Sequence, residues 1–361
     1  MVMSLLTAKK TEWIGLDVGT RSVKLIRLRR SESGYSVTAA AMVDIPPVEN
    51  AEGETDSRRI TAALKECLAR AQVRERYAVC GVAGPEVMVR GFKFPPLPLK
   101  AMDQAVQLEA QSVCPLDIKS SVLDYQLVQS VSEAAEQAQQ EVRSQSGLMV
   151  VGTDRVIRQR ISQVTAAGIK PVLMDAEALA LLNCLNELNL IKGHSTVAVI
   201  DIGYSTTSVI IYGQNGLPFV RDLTIAGGSI IRQISTEQGL DEKTVCQTLG
   251  GFGQESISKE QRNQMLLSLN NAIRPLVTMI NETLRFYSFQ EKNAAVEQIF
   301  LCGGFSLIPM FTDMLADALP VETGLLNPLE HMAWEASQPQ NEWKACGPAL
   351  AVAAGLAMRT E

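Results

Sequence analysis

The segment Trp13-Ile-Gly-Leu-Asp17-Val-Gly19-Thr20-Arg21-Ser22-Val-Lys24-Leu-Ile-Arg-Leu28 constrains the fold more than any other part of the chain. A short apolar run, a glycine turn and a second run of alternating character spell a β-hairpin with an acid near its tip. A near-copy recurs at Val197-Ala-Val-Ile-Asp201-Ile-Gly203-Tyr204-Ser205-Thr206-Thr-Ser-Val-Ile-Ile211, displaced by 201 − 17 = 184 positions in a chain of 361 residues. A repeat at about half the chain length marks an internal duplication, and hence two related domains. The length alone suggests the same count.

Between the copies, Ile60, Leu64, Cys67, Leu68 and Ala71 stand at helical spacing and predict a helix from Arg58 to Ala71, followed by a strand from Tyr77 to Ala83. A strand over Val87–Phe94, a Pro95-Pro-Leu-Pro98 break, a helix over Lys100–Val113 and a strand over Val122–Val128 describe a small inserted α/β unit. Residues 131–146 are of low complexity with two large aliphatics, which predicts a mobile loop. The chain then reads as a strand (Leu148–Gly152), a helix after Thr153-Asp154, a strand (Pro171–Met174) and a helix (Ala176–Leu190). Past the second hairpin, Gly227-Gly228 opens largely helical sequence to about Gln290, interrupted at Gly250-Gly-Phe-Gly253 and bent or broken near Pro275. A strand over Gln298–Cys302 ends in Gly303-Gly304, a helix follows over Ile308–Leu319, and the small-residue helix Gly347–Met358 suits close packing on a sheet.

Composition excludes several classes. A formal net charge of −6, without a long basic run, gives no electrostatic footprint for nucleic acid. The seven cysteines form no CxxC pair and mostly lie in apolar runs, as small core residues of a reducing compartment do. His194 and His331 stand far apart and lack a ligand pattern. The first ten residues do not read as a secretion signal, because their basic pair follows the apolar part. The longest uncharged run, Ala345–Met358, is broken by Gly and Pro and is shorter than the ~20 apolar residues of a membrane span. A cytoplasmic protein is expected, held at a membrane, if at all, through a partner.

Three glycine turns, at Gly19, Gly203 and Gly303-Gly304, each follow an apolar strand, and two carry an Asp two residues earlier. One such turn is most often only a β-turn. Two matched copies and a third turn point instead to an anion clamp, in which glycine lets backbone N–H groups approach phosphate and Thr20, Ser22, Ser205 and Thr206 add hydroxyls. Asp17 and Asp201 would then face each other across a cleft, placed to hold Mg²⁺ through water.

The order of these turns resembles the two phosphate motifs and the adenosine motif of the actin and sugar-kinase superfamily. Within it, Ile14–Lys24, Leu108-Glu-Ala-Gln-Ser-Val-Cys114-Pro115-Leu116 with Leu123-Asp124-Tyr125, Met174–Ala180 and Pro348–Arg359 resemble the PilM family of the type IV pilus machine over nearly the whole chain. The resemblance implies an actin-like (ribonuclease H-like) duplicated two-domain α/β fold. It places subdomain 1A in 1–77 and 169–195, an inserted 1C-type α/β subdomain in 78–168, subdomain 2A in 196–228 and 297–340, subdomain 2B in 229–296, and a C-terminal helix of 1A in 341–361.

It further implies ATP and Mg²⁺ as cofactors. The nucleotide would be held by Asp17, Gly19, Thr20, Arg21, Ser22 and Lys24, by Asp201, Gly203, Tyr204, Ser205 and Thr206, and by Gly227, Gly228, Gly303, Gly304, Phe305 and Ser306. The acid that orients attacking water in active relatives falls at Asp175 or Glu177. The family's Lys, often with an acid, in the helix of 2B has no counterpart in Thr244–Leu249, so turnover is expected to be slow or absent. The partner implied is the N-terminal cytoplasmic peptide of PilN, in a groove between 1A and 1C with Val87, Met88, Val89 and Tyr125 as candidate contacts. Other inner-membrane and motor components of the pilus machine, and self-association, complete the implied contacts; nucleic acid is not among them.

Two other readings share the fold. An FtsA- or MreB-like filament protein of the FtsA type would be expected to continue into a membrane-binding helix, whereas this sequence stops at Glu361. A small-metabolite kinase would need a catalytic Asp at a sugar pocket, for which the sequence offers no candidate.

Overall fold

The computed structural model describes residues 13–32, 34–46, 56–128, 144–193, 195–213, 216–250, 258–291 and 294–359. The first half opens with β1 (Ile14–Val18), β2 (Ser22–Ser31), β3 (Gly34–Asp44), α1 (Asp56–Ala71) and β4 (Tyr77–Val82). It continues through β5 (Val87–Phe94), α2 (Leu99–Val113), β6 (Ser121–Val128), β7 (Gln145–Thr153) and α3 (Asp154–Ala166), then β8 (Lys170–Ala176) and α4 (Glu177–Glu187). The second half holds β9 (Val197–Ile202), β10 (Thr207–Tyr212), β11 (Pro218–Leu223), α5 (Gly227–Gln238), α6 (Glu242–Leu249), α7 (Lys259–Gln290), β12 (Gln298–Cys302), α8 (Pro309–Ala318) and β13 (Thr323–Leu325). β14 (Ala333–Trp334), α9 (Gln340–Lys344) and α10 (Ala351–Ala357) return to the first half.

The duplication is written in the strand pairing. The first sheet runs β3-β2-β1-β4-β8, with β14 added outside β3, and the second runs β11-β10-β9-β12-β13. In each, the first strand is antiparallel to the second and parallel to the fourth, and the fourth is parallel to the fifth. A parallel neighbour needs a crossover, and the helices that supply the crossovers cover the sheets.

β1 is buried throughout. Ile14, Leu16 and Val18 join Leu64, Cys67 and Leu68 of α1 and Val164 of α3 in one core. On the other face Gly15 admits α10 so closely that a Cβ there would lie 1.9 Å from the carbonyl oxygen of Ala353. Gly355 of α10 is as tight against α4, where a Cβ would lie 1.8 Å from the carbonyl oxygen of Ala180. The small residues of the last helix therefore fit it between β1 and α4, as its composition predicts.

The inserted segment forms its own sheet, β5-β7-β6, antiparallel in register. Phe92, Met102, Val106, Met149 and Val151 make a separate core against α2. In the second half, α5, α6 and α7 pack on the β9–β12 sheet in one continuous core that includes Ile200, Ile231, Leu269, Leu276 and Tyr287.

Several boundaries differ from the sequence reading. β3 and β11, the third strand of each half, were not anticipated. β7 starts at Gln145, inside the expected loop, whose residues 131–143 lie outside the described residues, as do His194 and Gly251–Gly253. β8 extends to Ala176, and α4 ends at Glu187, short of Leu190, where Asn189 turns to φ +53°. α7 runs unbroken through Pro275. Burial of the flanking Ala272, Ile273, Leu276 and Ile280 in the second core outweighs the backbone hydrogen bond that proline removes.

Candidate functional site

The two hairpin turns are alike to the bond. Gly19 N–H donates to the Ser22 carbonyl at 3.1 Å, and Gly203 N–H donates to the Thr206 carbonyl at 3.0 Å. A Cβ at Gly203 would lie 2.9 Å from that carbonyl oxygen, so glycine is what lets the turn close. This refines the sequence reading: the glycine amides are used inside the turns. The amides of Thr20, Arg21, Tyr204 and Ser205 donate to no described group, and these are the ones presented at the tips.

Both tips open on one cleft of about 450 Å³ between the halves. Asp17, Gly19, Thr20, Arg21, Ser22, Lys24, Asp201, Gly203, Tyr204, Ser205, Thr206, Gly303, Gly304 and Phe305 all line it. Gly303 holds φ +90°, and a Cβ there would stand 2.2 Å from Asp201 Oδ1, so the third turn is pressed directly onto the second acid. Gly227, Gly228 and Ser306 stand behind the lining. Gly227 N–H and Gly228 N–H donate to the carbonyls of Gly203 and Tyr204 at 3.0 and 2.8 Å, and Ser306 Oγ donates to the Gly303 carbonyl at 2.7 Å. They brace the turns from outside the cleft.

The duplicated acids are not equivalent. Asp17 faces Lys24 across the β1–β2 register, and Lys24 Nζ donates to its Oδ2 at 2.8 Å in a pair buried on both sides. Burial works to lower the Lys24 pKa, but Asp17, and then Asp201 and Glu177, raise it overall. The register partner of Asp201 is Ser208, which donates instead to Asp222 at 2.6 Å. Without a counterion in its own hairpin, Asp201 is pushed up to about 6, by burial first and with Asp17 and Asp222 adding, against the pull of Lys24.

The two candidates for a water-orienting acid separate. Asp175 is the penultimate residue of β8 and turns from the cleft toward Arg359, whose Nε lies 3.5 Å from its Oδ2; burial raises its pKa. Glu177 opens α4, packs on Gly81 and faces the cleft. Burial, then Asp17 and Asp201, push it up to about 8, against Arg160 and Lys24.

Sequence reasoning missed Arg160. It projects from α3 into the cleft beside the turn Ala83-Gly84-Pro85, and its Nε is shielded from solvent without a hydrogen-bond partner. Burial lowers its pKa, with Glu177 and Asp17 opposing. No local pattern marks it, because α3 lies far from both hairpins in sequence. Cys246 of α6 and Ile231 of α5 add an apolar wall. α6 begins two residues before the segment singled out in the sequence, at Glu242, which accepts a hydrogen bond from Tyr204 Oη at 3.1 Å. Arg21 in turn lies over the Tyr204 ring at 5.5 Å.

The lining suits a polyphosphate with a divalent cation. Unpaired amides, hydroxyls and the cations Arg21, Lys24 and Arg160 favour anions. Asp17, Glu177 and Asp201 would repel phosphate unless a cation came between them. No group of three or more His, Cys, Asp or Glu among the described residues has metal-binding geometry, so a cation here would keep much of its water.

The four candidate peptide contacts divide between two faces of the inserted sheet, as strand alternation requires. Met88 and Tyr125 pack into its α2-side core, where Tyr125 Oη donates to Asp103 at 2.6 Å. Val87 and Val89 lie on the opposite face. There Val87 and Val122 flank Gly152 in register, Ile157 of α3 covers Gly152, and Leu217 of the second half covers Gly91.

Two sheets of identical strand order, with matched acid-bearing turns closing on one cleft, define a protein of the actin-like two-domain class. Within that class the chain belongs to the PilM family: the family profile described as "Type IV pilus assembly protein PilM" matches residues 15–361. A solved chain of a "PilM-PilN type IV pilus biogenesis complex" superposes with a TM-score of 0.79 at 26% identity, covering 97% of this chain and 98% of that one. The ethanolamine utilization protein EutJ from Carboxydothermus hydrogenoformans gives a TM-score of 0.56 at 12% identity, over 96% of this chain and 89% of that one. The diol dehydratase-reactivating factor in nucleotide-free form gives 0.51 at 11% identity, over 95% and 98%. The last two likenesses concern the fold alone. Family membership sets the chain among pilus assembly proteins rather than FtsA- or MreB-like filament proteins or small-metabolite kinases. No helix of the described residues is long and apolar enough to cross a membrane.

Proposed function

We propose that this protein binds ATP with Mg²⁺ in the cleft between its halves and serves as a nucleotide-dependent scaffold of the pilus inner-membrane complex. The observation that carries the nucleotide reading is the convergence of Asp17, Asp201 and the Gly303-Gly304 turn on one cavity. In this reading the tip amides and hydroxyls receive phosphate, and Asp17 and Asp201 hold Mg²⁺ through water. A cation held there would neutralise the phosphates and let them approach the acids. Glu177 is the acid in position to orient a water. The apolar wall of Ile231, Cys246 and Ile308 receives the nucleoside. Titration calorimetry with ATP and Mg²⁺ tests this: the wild type should bind, and Asp201→Ala should weaken Mg²⁺-dependent binding at least tenfold while remaining folded. A folded wild type that binds no ATP would overturn the reading.

The partner in this reading is the N-terminal cytoplasmic peptide of PilN, by analogy with the 26%-identical chain solved as a PilM-PilN complex. Its attachment would hold the protein at the inner membrane, where other pilus components and further copies of this chain are candidate contacts. The surface favoured is the α3-side face of the inserted sheet, where Val122 is 48% exposed and stands across Gly152 from Val87. An extended peptide there gains a few apolar anchors. Val122→Asp should abolish capture of a synthetic PilN peptide without unfolding the protein, whereas Met88→Asp should destabilise the inserted unit. Peptide protection in hydrogen exchange confined to 229–296 would refute this placement.

A further inference from the structure

Arg160 of α3 lines the cleft together with the turn Ala83-Gly84-Pro85. Its Nε is buried without a hydrogen-bond partner, and the guanidinium forms no ion pair with a described residue, although Glu177 and Asp17 lie within electrostatic reach. A guanidinium has five donors in a planar fork, and the shielded Nε among them is left unmet, which is unfavourable unless a ligand completes it. Phosphate oxygens match that fork in pairs. The cleft lining is also of two kinds. Its apolar wall, at Ile231, Cys246 and Ile308, belongs to the second-half core and suits a nucleoside, while Lys24, Asp17, Glu177 and Arg160 form one charged group that suits phosphate.

The helix that carries Arg160 is bound on two sides. Thr153 caps α3 by accepting from Val156 N–H at 3.3 Å, and Thr153 and Arg155 both bond Glu86 at the edge of the inserted sheet. Ile157 covers Gly152 of β7. On its other side Val164 enters the core of the first half, and Gln163 Nε2 donates to Ser57 Oγ at 3.3 Å. Arg160 sits between these anchorages. A ligand resting on Ile157 and a phosphate gripped by Arg160 would bear on the same helix.

We propose that Arg160 binds the terminal phosphate of the nucleotide and so couples the filling of the cleft to occupancy of the inserted sheet. This rests on the nucleotide reading above. Coupling carried by one helix must be reciprocal between the two ligands.

The test compares ATP and ADP binding, each with Mg²⁺, for the full-length wild type, Arg160→Gln and Arg160→Lys, with and without the synthetic PilN peptide. The wild type should prefer ATP to ADP. Arg160→Gln should bind ATP at least tenfold more weakly with ADP affinity changed less than twofold, and Arg160→Lys should fall between. The peptide should raise ATP affinity more than ADP affinity in the wild type and lose that distinction in Arg160→Gln. Equal weakening of ATP and ADP would mean that Arg160 merely balances the acids, and would overturn the proposal with nucleotide binding intact. Should Arg160→Gln fail to fold, an unchanged ATP-to-ADP ratio in Arg160→Lys would overturn it equally. A wild type that binds neither nucleotide removes the nucleotide reading itself.

Discussion

Ser205 Oγ donates to Thr20 Oγ1 at 3.0 Å, so the tips of two turns 185 residues apart in sequence touch across the mouth of the cleft. The bond is exposed, and an exposed hydrogen bond adds at most about 1 kcal/mol to stability. Both hydroxyls are also phosphate donors in the proposed site. Ser205→Ala should therefore leave the melting temperature within a few degrees of the wild type, while weakening ATP by roughly fivefold, about 1 kcal/mol. Calorimetric titration and a thermal melt on the same preparation measure both. A large loss of stability with unchanged ATP affinity would assign the bond to interdomain packing.

The Lys24–Asp17 pair behaves differently because it is buried. Removing one partner leaves an uncompensated charge, which typically costs about 3–5 kcal/mol. Lys24→Met should thus destabilise strongly near neutral pH. Adding Asp17→Asn removes the stranded charge and should recover most of the loss. A double-mutant cycle by urea unfolding reads the interaction energy, and additive losses in the double variant would contradict a buried pair.

The hairpins were legible in the sequence because an acid, a glycine and a following run of alternating character recur together, and few other structures use that pattern twice. β3 and β11 escaped because nothing in Gly34–Asp44 or Pro218–Leu223 repeats between the halves. The choice between Asp175 and Glu177 was hidden for a geometric reason. They flank the point where β8 becomes α4, so neither strand nor helix periodicity alone says which carboxylate faces the cleft. Arg160 was invisible because it reaches the site from α3, 160 − 17 = 143 residues beyond the first acid. Placing it required the packing of α3 against both sheets.

The close approach of α10 makes its glycine a sensitive position. A Cβ at Gly355 would meet the Ala180 carbonyl oxygen at 1.8 Å, backbone that can yield only by displacing a helix. Overpacking of this kind costs about 1–3 kcal/mol. Gly355→Ala should therefore lower stability by about that amount, although alanine is the better helix former. Equilibrium denaturation decides it. A stabilised variant would show that α10 has room the structure does not.

Glu177 links the cleft to pH. Its folded-state pKa is pushed up to about 8 from an ordinary 4.5, by burial first and then by Asp17. The folded protein thus retains a proton that the unfolded chain releases above its ordinary pKa. Where the native state binds more protons, stability falls as pH rises. The contribution is complete below about pH 4.5 and is lost progressively as pH climbs through about 8. Asp201, raised to about 6, adds a loss of the same sign in the lower part of that window. Glu177→Gln has no proton to lose, so its stability relative to the wild type should increase from pH 5 to pH 8. The same proton bears on hydrolysis: a neutral carboxyl cannot take up a proton from water, so without a bound cation to ionise it Glu177 is a poor base near neutrality. ATP turnover should stay below about one per second, the low end of ordinary enzyme rates, and rise toward pH 8 in the wild type but not in Glu177→Gln. Phosphate-release assays across that range, paired with urea melts, follow both consequences of one titration. A pH-independent stability difference between the two proteins would show that Glu177 is already ionised in the folded state.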